Sequence, residues 1–190
     1  MKKSLVFVVV VTLLTMHPGG LSAGEKAPQA VIDLTHSKLV KLGTDPIVVK
    51  AVKAENAKGK TLDQIKAMDE KWKATPGVAD YMKALMESEC GQYLRDFQKT
   101  TPYYAEIFVT DNQGANVAMT DKTSDYWQGD EAKFIECYKG GAGEIYLNDV
   151  AFDESTQTYL VQVSVPVKDE EQVIGVVVIG IDIDSLEKTK

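Results

Sequence analysis

Apolar residues recur at helical spacing through the first half of the chain and alternate or run together through the second, so the pattern changes near residue 100. Val31, Leu34, Leu39 and Leu42 share a helical face that ends at Gly43-Thr-Asp-Pro46, where Asp45 is placed to cap a second helix with Pro46 at its first position. Ile47 to Val52 begins that helix, and the polar loop 57–60 closes it. Thr61-Leu-Asp-Gln64 reads as a capping box, followed by Leu62, Ile65, Met68 and Trp72 on one helical face and by a stop at Pro76-Gly77. Val78, Met82, Leu85, Leu94 and Phe97 mark a further long helical stretch, with a kink or break expected at Gly91.

Beyond residue 104 the period shortens to two. Residues 105–114 and 115–120 are apolar runs joined by an Asp-Asn-Gly turn, a hairpin signal. Residues 144–148, 159–167 and 173–181 supply three more strands, and one short helix carrying Phe134 and Tyr138 interrupts the series. The last run is apolar at almost every position, which predicts a strand covered on both faces. Tyr159, Val161, Val163, Val165 and Val167 share one face by strict alternation, with Gln162 and Ser164 on the other. If the helices cover the valine face, a pocket lies on the Gln162 face; if they cover the other, Tyr159 becomes a candidate contact. The expected architecture is α+β, with helices over 29–100 packed on a five-stranded antiparallel sheet over 105–184.

The N-terminal pattern differs from both. Met1-Lys2-Lys3, the apolar run Leu5 to Met16 and the small residues around Ala23 read as a secretory signal peptide over 1–23, leaving 24–190 as one mature domain that is periplasmic or secreted. The apolar run 173–183 is too short to span a bilayer, so no membrane span is expected in the mature chain. Removing Lys2 and Lys3 from the 21 basic residues leaves 19 against 28 acidic ones, a balance of −9 in place of −7. That sign argues against nucleic acid and anionic membrane surfaces as partners. An oxidising compartment permits a disulfide between Cys90 and Cys137; two buried free thiols are the alternative.

Catalytic constellations are missing from the sequence. His36 is the only histidine after residue 23, so neither a serine triad nor a thiol nucleophile has its base, and no His-x-x-x-His or Cys-x-x-Cys pair offers a metal site. The chain reads as a non-enzyme without a cofactor. Chemistry instead gathers in Asp125-Tyr-Trp-Gln-Gly-Asp-Glu131, just before the short helix. Trp127 offers a flat wall and one donor, Tyr126 a hydroxyl, and Asp125 and Asp130 carboxylates that accept from an ammonium group. The plainer roles are Trp127 as a core plug and Asp130 as the helix N-cap. Tyr104 and Tyr146 along the strands and Asp149 on the rim complete the candidate ligand-binding set.

The order of these pieces resembles the extracytoplasmic Cache, or PDC, sensor domains, whose sheet is related to that of PAS domains. The resemblance rests on the helix bearing Leu62, Asp63 and Trp72, the strand Glu106-Ile-Phe-Val-Thr-Asp111, the turn Asn112-Gln-Gly114, the cluster 125–131, Pro166-Val167 and Ile174-Gly-Val176. It implies a long N-terminal helix beside a five-stranded sheet and a small organic ligand between the sheet and overlying loops. The ligand classes it implies are an amine, an amino acid or a small carboxylate. It also implies signalling through a membrane receptor or histidine kinase, since most relatives are flanked by transmembrane helices and this sequence shows none after its sheet. Relatives that bind amino acids carry an arginine shortly before the tryptophan; here those positions read Thr123-Ser-Asp-Tyr126, and the sole arginine is Arg95. The alternative is an interaction protein that keeps the fold without a pocket.

Overall fold

The computed structural model describes residues 24–154 and 156–189; the signal segment expected over 1–23 lies outside the described residues. Among them are seven α-helices and six strands. Helix α1 (Gln29–Ser37) runs through a 3-10 turn into α2 (Pro46–Asn56), which Asp45 caps by accepting from the Ile47 N–H at 2.9 Å, as the Asp-Pro pair predicts. The capping box at the start of α3 (Leu62–Ala74) is also formed, with Gln64 N–H on Thr61 Oγ1 and Thr61 N–H on Gln64 Oε1. The helical stretch expected over 78–97, with a kink or break at Gly91, is two helices, α4 (Asp80–Met86) and α5 (Glu89–Gln98). The break falls before Gly91. Ser88 starts α5 by accepting from the Gly91 N–H at 3.0 Å, and a Cβ on Gly91 would stand 2.4 Å from the Leu85 carbonyl oxygen, so glycine lets the two helices meet at a tight corner. Among the described residues the longest helix is α3, with 13 residues.

The sheet is antiparallel in the order β2 (Asn116–Met119), β1 (Tyr104–Thr110), β6 (Gln172–Asp182), β5 (Thr158–Asp169), with β3 (Tyr146–Leu147) and β4 (Ala151–Asp153) both on the outer edge of β5. The sixth strand, β4, is three residues long and sits in a segment whose polar residues read as a loop. Between β2 and β3 lies α6 (Ala132–Tyr138), and α7 (Ile183–Glu187) follows β6.

Two layers cover the sheet. Val31, Leu39, Val48, Val52 and Leu94 pack on Ile107, Val109, Val163, Val165, Val177 and Ile179, so α1, α2 and α5 take the valine face. Ile65, Trp72, Met82 and Phe134 pack with Phe108, Met119, Val176 and Val178 on the opposite face, which therefore receives α3, α4 and α6. Strand β6 is buried on both sides, and Gln162 and Ser164 look toward the second layer. The described residues contain no helix long and apolar enough to cross a membrane.

This layering overturns the disulfide. Cys90 of α5 belongs to the first layer and Cys137 of α6 to the second, with the sheet between them, and both are free and buried. Burial pushes both thiols up to about 12, with Asp45 and Glu89 adding to the effect at Cys90. The expected result is that intact-mass analysis of alkylated protein finds no label on the native fold and two labels after denaturation without reductant.

Candidate functional site

The segment between β2 and α6 is held down by α3. On that helix the buried positions are Ile65, Asp69 and Trp72, while Leu62, expected on the buried face, is 41% exposed. Asp69 Oδ1 accepts from the Tyr126 N–H at 2.8 Å and the Trp127 N–H at 3.1 Å. Lys73 bridges Asp69 and Asp125 at 2.7 and 2.9 Å, and these two carboxylates hold its ammonium well above the usual lysine range. Trp72 donates its indole N–H to the Thr123 carbonyl at 2.8 Å and packs its ring 5.6 Å from Tyr126 and 6.0 Å from Tyr81.

The Asp125–Trp127 cluster is thereby filled by the protein itself. Tyr126 is 5% exposed, and its hydroxyl accepts from Lys60 Nζ at 2.7 Å. Lys60 is also ion-paired to Glu55; burial alone would lower its pKa, but the bonds to Glu55 and Tyr126 outweigh that and raise it. Trp127 donates its indole N–H to the Gln113 carbonyl at 2.8 Å, and Lys66 lies 4.9 Å from its ring centre. Asp130 is exposed in the turn before α6 and does not cap it; the N-cap is Glu131, with no side-chain bond. Tyr146 faces Ser164 across β3 and β5, and Asp149 pairs with Lys26 at 2.9 Å. Tyr104 lies on the other face of the sheet, stacked 5.0 Å from Phe97 and capped by Lys38, so it cannot join the rest.

Next to this loop the Gln162 face carries a cleft of about 170 Å³. Glu106 and Phe108 of β1 and Gln162 of β5 form its floor, and Thr123 and Gln128 reach it from the loop. Glu106 and Gln162 sit either side of Gly180 on β6, in register with it. A Cβ at Gly180 would stand 2.7 Å from Glu106 Cγ; its absence lets the carboxylate lie across the strand and accept from Gln162 Nε2 at 2.9 Å. Burial raises the Glu106 pKa above the usual carboxylate range, the Gln162 bond opposes this, and Asp153 at the rim reinforces it. Gln128 is 1% exposed; its Nε2 donates to the Asp125 carbonyl at 2.8 Å, while its Oε1 has no partner.

A wider groove of about 360 Å³ runs between α2 and the α4–α5 corner, but its walls are mainly aliphatic and none of the orphaned polar atoms of the described residues line it. The cleft over β1 and β5 combines an enclosing loop with converging polar groups, as binding sites do. Glu106, Phe108 and Gln128 were not singled out from the sequence. Their signal was available in part: Glu106 is the one charge in an otherwise apolar strand, and Gln162 interrupts a run of valines.

The molecule is thus a helix-covered antiparallel sheet with a small cleft beside a tethered loop. The chain belongs to the family described as methyl-accepting chemotaxis protein-like, first PDC sensor domain, whose profile matches residues 77–188, more than half of its length. It is a PDC sensor domain of the methyl-accepting chemotaxis protein-like kind. Among solved structures it is similar to the sensor domain of the V. cholerae histidine kinase DctB, with 15% identity, a TM-score of 0.44 and 84% of this chain covered. It is also similar to the ligand-binding domain of the Campylobacter jejuni chemoreceptor Tlp3 in complex with L-valine, with 16% identity, a TM-score of 0.43 and 85% covered. The chain spans 56% of the first of these and 66% of the second. No curated protein sequence matches it.

Proposed function

We propose that this domain works outside the cytoplasm as the ligand-binding part of a signalling system, holding a small organic molecule in the Gln162-face cleft and acting with a membrane receptor or histidine kinase. The observation that carries this reading is the Glu106–Gln162 pair in the cleft floor. A carboxylate on a sheet face with burial raising its pKa opposes folding when ionised, which is the cost a binding group typically imposes. The N-terminal charge and apolar pattern supports export. In this reading Asp125, Tyr126 and Trp127 hold the loop in place, and the ligand meets the residues on either side of them.

A thermal-shift panel of amines, amino acids and small carboxylates tests it. At least one class at millimolar concentration is expected to raise the melting temperature, since a ligand that binds only the folded state must stabilise it. A panel in which no compound moves the transition contradicts the sensing role and favours the pocketless interaction protein. Trp127→Phe, which loses the bond to Gln113 and trims the ring beside Lys66, is expected to keep the ligand-induced shift.

A further inference from the structure

Strand β6 carries two glycines, Gly175 and Gly180, in a run of buried valines and isoleucines. A glycine inside a strand weakens it, having no side chain to pack and more freedom to lose on folding, so each needs a reason. The reasons differ. A Cβ on Gly175 would stand 2.2 Å from the Thr110 carbonyl oxygen and 2.9 Å from Val52 Cγ1, so the backbone of β1 and the packing of α2 exclude a side chain. The three atoms nearest to a Cβ on Gly180 all belong to the Glu106 side chain, Cγ at 2.7 Å, Oε1 at 3.4 Å and Cδ at 3.5 Å. What excludes a side chain there is the position of one carboxylate in the cleft floor. The same gap brings Gln162 within reach from the other side of β6: its Nε2 donates to Glu106 Oε1 at 2.9 Å, and its Oε1 accepts from Asn148 Nδ2 at 3.4 Å.

We propose that Gly180 is a positioning residue of the cleft: it is bare so that Glu106 lies across β6 against Gln162 and the cleft keeps its depth. With alanine at 180, Glu106 Cγ has to leave the strand, which breaks the bond to Gln162 and turns the carboxylate up into the space of about 170 Å³ above it. The charged groups that act on this carboxylate are Lys133 of α6, Asp121 after β2 and Asp153 of β4, and alanine at 180 alters none of them. The substitution therefore moves Glu106 without changing the charges around it. That the displaced side chain obstructs a bound molecule rests on the cleft being the binding site; the placement of Glu106 by Gly180 does not.

The test compares Gly180→Ala with Gly175→Ala in the full-length protein, each also in a Glu106→Ala background. With Glu106 replaced, Gly180→Ala is expected to melt no lower than its background, because the clash has gone, whereas Gly175→Ala melts lower in both backgrounds. With Glu106 present, NMR across pH follows the Glu106 carboxyl carbon and the Gln162 side-chain amide. In the parent the two move with one midpoint; in Gly180→Ala the carbon still titrates and the amide loses most of its movement. Binding is read by thermal shift with n-propylammonium, propionate and β-alanine, one probe for each class. Any of them that raises the parent's melting temperature is expected to bind Gly180→Ala about tenfold more weakly or worse, a loss of the size of one charge-assisted hydrogen bond. A penalty that persists in the Glu106→Ala background would make this glycine a requirement of the fold. An amide that still follows the carboxyl carbon, or a probe that keeps its full shift, would equally overturn the assignment. Failure of all three probes to shift the parent counts against the sensing role, while the melting and amide comparisons still decide the placement of Glu106.

Discussion

Trp72→Ala is expected to lower the unfolding free energy by about 3–5 kcal/mol, the cost of emptying a fully buried aromatic site. For a domain of this size that is a fall of roughly 6–20 °C in melting temperature. The indole is 0% exposed, packs against both Tyr81 and Tyr126, and donates to the Thr123 carbonyl from across the layer. Its removal opens a cavity and leaves that carbonyl without its donor. Thr123 lines the cleft, so the loss reaches the site as well as the core. Calorimetric unfolding of the variant checks the stability term. Trp127→Phe supplies the contrast: its ring is only half-buried and it forfeits one hydrogen bond, about 0.5–1.5 kcal/mol. Equal losses from the two tryptophans would refute the division between the one that builds the core and the one that pins the loop.

Asp69→Ala is expected to cost about 3 kcal/mol and Asp69→Asn only about 1 kcal/mol, measured by denaturant unfolding. The asymmetry follows from which oxygen does what. Oδ1 receives both the Tyr126 and Trp127 N–H groups, so alanine strands two backbone donors in a closed site. Asparagine with its oxygen at that position keeps both bonds and loses only the pair between Oδ2 and Lys73, a lysine that still reaches Asp125. Because these bonds tether the loop that roofs the cleft, alanine should also weaken any ligand, and asparagine should do so much less. Similar losses in both variants would place the ion pair, and not the backbone tether, in control of the loop.

Much of the fold was readable because its signals are local. Asp45-Pro46 and Thr61 to Gln64 specify helix starts through bonds within four residues, and both form as read. The valine alternation of β5 marked its two faces but not their cover, since α1, α2 and α5 take the valine face and α3, α4 and α6 the Gln162 face. Short-range signals fail where the deciding contact is distant. The α4–α5 break is made by Ser88 and by the approach of Gly91 to the end of α4, and β4 exists only because β5 pairs with it. Asp69 looked like an ordinary polar position on a helix, and its burial becomes legible only when the loop around Tyr126 folds over it.

The candidate site was less legible for the same reason. Asp125, Tyr126 and Trp127 are conspicuous by type, yet their conspicuous groups are consumed by Lys73, Lys60 and Gln113, partners 14 to 66 residues away. Glu106 and Gln162, plain in sequence and 56 residues apart, become a pair only across Gly180. Tyr104 shared a strand with Glu106 but occupies the opposite face of the sheet, beyond a register shift between Tyr104 and Glu106.

The central claim is a place: ligand binds over β1 and β5, beside the tethered loop. The most direct measurement is a map of side-chain and backbone NMR shifts during titration with a compound that raises the melting temperature. The side-chain amides of Gln128 and Gln162 and the ring of Phe108 are expected to move first and together, with the Trp127 indole N–H little changed. Shifts gathered instead at Ile47, Ala51 and Leu85, in the groove beside α2, would put the ligand on the wrong side of the sheet and contradict the account.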